Sequence, residues 1–234
     1  MDKNHISHQF DNELGNLRNQ VFAMGGLVEQ QIRDAVAALT EGDTELAETV
    51  IRNDHKVNRM EVEIDEECTH VIARRQPAAS DLRLIVAVIK TITDLERMGD
   101  QAEKVARMGR GLANMERPRS GYFEIQTLGE HVQTMTHEAL DAFVRMDVDA
   151  AIKVAKKDLK VDQEYEGIMR QLMTFMMEDP RTIKRVLDVM WAARALERIG
   201  DHAKNICEYI VYLVEGKDVR HISMEKMEEK VRKG

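Results

Sequence analysis

The chain has 234 residues, 43% of them hydrophobic and 32% charged, with a net charge of −8 and only three prolines. This balance fits a soluble helical protein, and its acidic sign argues against a nucleic-acid partner, which needs a basic face. No apolar run reaches membrane-spanning length, and fifteen methionines beside 4% aromatics are typical of long packed helices.

From about Ile6 to Glu41, apolar residues at Leu14, Leu17, Val21, Met24, Val28, Ile32, Val36 and Leu39 keep the three-and-four spacing of an amphipathic helix. Gly25-Gly26 marks a bend or a close helix contact. Gly42 predicts a helix stop and Asp43 the cap of the next start, and so short a link makes the two helices antiparallel neighbours. Helix two carries Val50, Val57, Ile64, Cys68 and Val71 on one stripe and ends at Gln76-Pro77. Ser80 is read as the cap of helix three. Its stripe of Leu82, Ile85, Ile89 and Ile92 leads to Glu96, a carboxylate where the spacing asks for an apolar residue; Asp54 holds a similar slot in helix two.

Glu116 to Gly121 breaks the pattern. Helix four is expected from Tyr122 to Met146, with Leu128, Val132, Met135, Ala139 and Phe143 inward. Asp147 caps helix five, and Asp179-Pro180 is a strong start for helix six, whose stripe of Val186, Met190 and Ala193 leads to Glu197. Past Gly216 the chain reads as a loose polar tail with a short helix around Glu225. Cys68 and Cys207 lie far apart in helical patterns and are read as reduced, buried thiols.

Leu95-Glu96-Arg97-Met98-Gly99-Asp100-Gln101-Ala102 recurs 101 residues later as Leu196-Glu197-Arg198-Ile199-Gly200-Asp201-His202-Ala203, six of eight positions being identical. At an offset of 104, Asp43 to Ala47 aligns with Asp147 to Ala151, and Asp54 to Asn58 with Asp158 to Asp162. The chain is thus a duplication. The expected fold is all-α, two tandem and similar three-helix bundles over 1–116 and 117–217, with 218–234 as the tail.

Both halves bring two i,i+4 polar pairs to one level: Asp54/Asn58 against Glu96/Asp100, and Asp158/Asp162 against Glu197/Asp201. Facing carboxylates in a partly buried seam cannot all stay ionised unpaired. They bind hard cations such as magnesium, manganese or iron, or pair with Arg97, Lys104, Arg198 or Lys204, or lie on a solvated face; the repeat and the matched depth favour metal. The pairs lack the Glu-x-x-His of di-iron bundles. His202 is one residue from Asp201 and turned about 100° away, and His131 and His137 are read as isolated. Gly99 and Gly200 mark close helix approach or room beside the carboxylates, and Glu61 with Asp65 is read as a solvated pair.

Two three-helix halves, each with Glu-Arg-hydrophobic-Gly-Asp on its third helix and an Asp-x-x-x-Asp type pair on its second, resemble the PhoU family. His5 to Phe10, Arg74 to Leu84 and Asp162 to Gly167 are also similar to that family, and the resemblance covers nearly the whole chain. It implies a cytoplasmic negative regulator of the phosphate-starvation response, an adaptor linking the ATPase subunit of the phosphate ABC transporter to the sensor histidine kinase. It further implies a homodimer that meets the membrane only through partners, with no nucleic acid and no catalytic residues. Metal would lie at Glu96, Asp100, Asp158, Asp162, Glu197, Asp201 and Asp54, more weakly where Asn58 replaces an acid. The alternative is a carboxylate-bridged metal-dependent oxidase or hydrolase. That would usually need a nitrogen ligand, and the chain has four serines, none in GxSxG, and no phosphate-cradling glycine loop.

Overall fold

A computed structural model describes residues 8–115 and 122–232. The helices are α1 (His8–Glu41), α2 (Thr44–Arg75), α3 (Ala79–Leu112), α4 (Phe123–Arg145), α5 (Val148–Glu178), α6 (Ile183–Glu215) and α7 (Met224–Arg232), with a 3-10 turn at Pro180–Thr182 before α6. There is no strand among the described residues. The expected start at Ile6 and the break at 116–121, with the boundary between halves, lie outside the described residues.

The helix links follow local chemistry. Asp43 accepts a hydrogen bond from the Leu46 backbone N–H at 2.9 Å and Asp147 one from Ala150 at 2.9 Å, so both expected caps form. The preceding residues, Gly42 at φ +73° and Met146 at φ +53°, take the left-handed conformation that ends α1 and α4. The expected cap at Ser80 does not form: α3 begins at Ala79, its N-cap is Ala78, and that cap has no side-chain bond. Before it, Gln76 ends α2 as a left-handed C-cap at φ +46°, and Pro77 after it cannot continue the helix.

The layers run α2, then α1 with α3, then α4 with α6, then α5, and the α3–α6 pairing is the most extensive. Lys90 over the Tyr209 and Tyr212 rings, and Arg83 donating to the Leu213 carbonyl, show that α3 and α6 run antiparallel. One hydrophobic core passes through both halves. α3 is therefore covered on three sides, and its buried stripe is Leu84, Ile85, Val88, Ile92, Leu95 and Met98; Leu82, expected inside, is 40% exposed.

The halves are related by a pseudo-two-fold axis that glycines make visible. A Cβ on Gly25 would lie 2.6 Å from a Leu140 methyl and one on Gly129 2.7 Å from a Val36 methyl, two contacts that exchange under the 104-residue offset. Gly25 thus serves a close contact, and α1 passes through Gly25-Gly26 unbroken. Cys68 and Cys207 are buried free thiols, as read from the sequence. The tail is not loose. Val219 and Met227 pack with Ile152 and Val211 into a small second core, which an apolar stripe of short sequence span concealed.

Candidate metal centre

The acidic pairs face one another across two seams on opposite outer sides of the molecule, α2 against α3 and α5 against α6. In the first seam, Asp54 is buried on α2 while Glu96 and Asp100 are half-buried on α3. Gly99 lets the helices close: a Cβ there would sit 3.4 Å from both Asp54 Oδ1 and Val57, and 3.1 Å from Gln31 Oε1 of α1. Burial, then Asp100 and Glu103, raise the Asp54 carboxyl above the usual range, opposed by the Asn58 amide, which donates to Asp54 Oδ2 at 3.2 Å. Glu96 is likewise raised by burial and by Asp100, Glu61 and Asp54, with Arg97 opposing. Glu61 therefore belongs to this seam, whereas Asp65 is solvated as expected.

In the second seam, Asp158 is 2% and Glu197 7% exposed, against 8% for Asp54, so the deeper carboxylates of the two seams lie here. Gly200 repeats the close approach, 3.2 Å from Val161 and 3.8 Å from Asp158 Oδ1. Burial and Asp201 push the Glu197 carboxyl up to about 6 against the pull of Arg194. Asp162 is raised by burial, Asp158 and Asp201, and Asp201 by desolvation and Asp158, with Lys204 opposing in both cases.

Two cations enter this seam. Lys204 donates to Asp158 Oδ2 at 2.6 Å, and Arg194 to Glu197 Oε1 at 2.7 Å. Lys204 was among the cations the sequence offered; Arg194, three residues before Glu197, was missed, although i,i+3 spacing on one helix is its signal. The first seam has no counterpart of Lys204. Glu103 occupies the equivalent position in the repeat, so the charge lost at Asn58 is restored by an acid one turn along.

Asp54 Oδ1, Asn58 Oδ1, Asp158 Oδ1 and Glu197 Oε2 are buried without a hydrogen-bond partner. Four orphaned acceptor oxygens, all within the two seams, suit a hard cation that takes oxygen ligands. In this side-chain arrangement no three carboxylate, histidine or cysteine side chains converge as ligands among the described residues. The donor set fits a metal in chemistry, and loading the second seam requires Lys204 and Arg194 to yield.

The histidines are engaged elsewhere. His202 Nδ1 lies 2.7 Å from Asp94 Oδ1, Tyr209 donates to Asp94 Oδ2 at 2.7 Å, and Asn205 to Asp94 Oδ1 at 3.3 Å, a buried network pinning α6 to α3. His131 pairs with Glu164 at 2.7 Å and His137 with Glu29 of α1 at 3.2 Å, so neither is isolated. The sequence signal for the network is a break in the repeat: Asp94 and His202 stand opposite Ala195 and Gln101 at the equivalent positions.

Fold and site define a duplicated all-helical bundle with an acidic seam in each half. The model of the PhoU domain matches residues 21–108 and again 125–210. The chain belongs to the PhoU family. It is 54% identical over 227 residues to the phosphate-specific transport system accessory protein PhoU homolog of Pseudomonas aeruginosa, covering 97% of this chain and 94% of that protein. It is 51% identical to the phosphate-specific transport system accessory protein PhoU of Escherichia coli, covering 96% and 92%. The crystal structure of PhoU from Pseudomonas aeruginosa superposes with a TM-score of 0.86 at 53% identity, covering 89% of this chain and all of that one. That of the phosphate transport system regulatory protein PhoU from Streptococcus pneumoniae gives 0.83 at 31% identity, covering 90% and 99%.

Proposed function

We propose that this chain is a negative regulator of the phosphate-starvation response, acting by contact rather than catalysis. It links the ATPase subunit of a phosphate ABC transporter to a sensor histidine kinase and works in the cytoplasm as a homodimer. The observation that carries this reading is similarity along nearly the whole chain to proteins named as accessory to phosphate-specific transport. No helix among the described residues is long and apolar enough to cross a membrane, so contact with membrane components is assigned to partner surfaces.

Asp54, the Asn58 carbonyl, Glu96 and Asp100 would hold a metal in the first seam, and Asp158, Asp162, Glu197 and Asp201 in the second. A bound cation would supply the positive charge that lets these carboxylates ionise together. The residues themselves then tie α2 to α3 and α5 to α6, stiffening the outer faces that partners meet. The rival reading, a metal-dependent enzyme, wants a nitrogen ligand, and the nearest histidine to the second motif, His202, is turned into α3 against Asp94.

The test is expression in cells lacking their own copy, with a phosphate-starvation reporter read in excess phosphate. The parent is expected to silence the reporter and to co-purify with the ATPase subunit; a reporter left fully active would overturn the reading. Elemental analysis of the parent beside Glu197→Ala/Asp201→Ala tests the metal separately.

A further inference from the structure

The two seams differ in what lies beneath them. Gln31 stands in the buried stripe of α1, among Val28, Ile32 and Ala35. It is 3% exposed, and neither its amide oxygen nor its amide nitrogen has a hydrogen-bond partner, a state that buried polar groups rarely keep. Its Oε1 and Asp54 Oδ1 lie 3.1 and 3.4 Å from the point where Gly99 would carry a Cβ. An oxygen from α1 and one from α2 thus flank the space that this glycine of α3 leaves open. Asn58 adds a third orphaned oxygen, its amide nitrogen being directed to Asp54 Oδ2. At the 104-residue offset Gln31 corresponds to Met135, which is buried in the second bundle. The atoms nearest a Cβ on Gly200 belong to Val161 and Asp158 alone, so α4 offers that seam no polar group at the equivalent point.

We propose that Gln31 is an oxygen ligand from a third helix, and that it makes the first seam the one a hard divalent cation loads first. The acids alone do not converge into a ligand set, and the amide oxygens of Gln31 and Asn58 are what the first seam adds to them. Amide and carboxylate oxygens together suit calcium, magnesium or manganese, whereas the thioether of Met135 does not. Loading the second seam displaces Lys204 from Asp158 and Arg194 from Glu197. In the first, the nearby Arg97 and Arg107 are about half exposed and face Asp94 and Glu103. Neither orphaned oxygen beside Gly99 has to give up a partner. A cation held there ties α1 to α2 and α3, while one in the second seam ties only α5 to α6. The rival role for Gln31 is reached by turning its amide over, so that the nitrogen donates to Asp54, the sense in which it opposes the burial that raises that carboxyl.

The inference rests on reading the seams as metal sites, and manganese titration of the full chain separates the two. Free manganese is followed by its paramagnetic resonance signal for the parent, Gln31→Met, Gln31→Glu and Glu197→Ala/Asp201→Ala. Methionine is the residue the second bundle buries at this position, so Gln31→Met keeps the core filled. One tighter site is expected in the parent. It should survive Glu197→Ala/Asp201→Ala, weaken at least tenfold in Gln31→Met, and hold or tighten in Gln31→Glu. Manganese should also slow hydrogen exchange in the turn of α1 around Gln31 in the parent and not in Gln31→Met. A tighter site indifferent to Gln31→Met, or strengthened by it, overturns the proposal and leaves Gln31 a hydrogen-bond donor to Asp54. Two sites of equal strength, or a tighter one lost with Glu197 and Asp201, overturn it while the metal reading stands. No manganese at either seam overturns the metal reading and this inference with it.

Discussion

Asp94 is the residue on which the junction of the halves turns. Its carboxylate, 1% exposed, takes hydrogen bonds from His202, Asn205 and Tyr209, three side chains of one helix. Asp94→Ala strands His202 in the interior and takes the acceptor from half-buried Asn205 and Tyr209, and is expected to cost about 3 kcal/mol in urea unfolding, with Asp94→Asn recovering part of it. Lys204 and Glu103 hold the same repeat position with opposite sign. Lys204→Gln releases Asp158 and should tighten manganese binding in the second seam on the order of tenfold by calorimetry, while Glu103→Lys should weaken the first seam. Glu208 carries a pH dependence of its own. Burial lifts its carboxyl to about 7 from the ordinary 4.5, against Lys204 and with Asp218 adding. A raised carboxyl favours the folded protein while protonated, so that contribution is complete below about pH 4.5 and is lost as pH rises through 7. Unfolding measured from pH 4.5 to 8 should show the parent losing stability across that window, and Glu208→Gln losing less.

At the scale of elements, glycines and left-handed residues separate packing from permissiveness. A Cβ on Gly109 would meet the Leu39 Cα at 2.8 Å, backbone against backbone, whereas Gly26 faces nothing within 4 Å. Gly109→Ala should therefore force α1 and α3 apart and lower the denaturation midpoint. Gly26→Ala should raise it, by the ~1 kcal/mol of helix propensity. The turns after α1 and α4 are equivalent, but one holds Gly42 and the other Met146 at φ +53°, 40% exposed. Met146→Gly should relieve roughly 1 kcal/mol of left-handed strain, visible as a higher melting temperature; an unchanged or lower value would show that the strain is offset by the side chain's contacts.

For the whole molecule, the single core through α1, α3, α4 and α6 makes the halves one cooperative unit rather than two beads. Unfolding followed by far-ultraviolet circular dichroism and by Trp191 fluorescence should give one shared midpoint. α7 closes this unit at one side, where Lys156 is ion-paired with Glu228 and Met227 is buried. Ending the chain after Gly216 would uncover Ile152 and Val211, and a lower melting temperature is the expected reading.

Much of this protein was legible without coordinates because helices announce themselves locally. The duplication, six long helices, the caps at Asp43 and Asp147 and the level of the four polar pairs all follow from spacings within one or two helices, which a 3.6-residue period and a turn suffice to place. Other features depended on what lay across the interface. On α3 the expected stripe is buried at Ile85 and Ile92, but Leu82 is 40% exposed, and Leu84, Val88, Leu95 and Met98 join the core because α1, α2 and α6 cover the helix on three sides. That Lys204 reaches Asp158, that His202 turns to Asp94, and that α7 packs against Ile152 depend on side chains brought together from distant parts of the chain, which no local period encodes; Arg194, three residues before Glu197, was within reach of helix spacing alone.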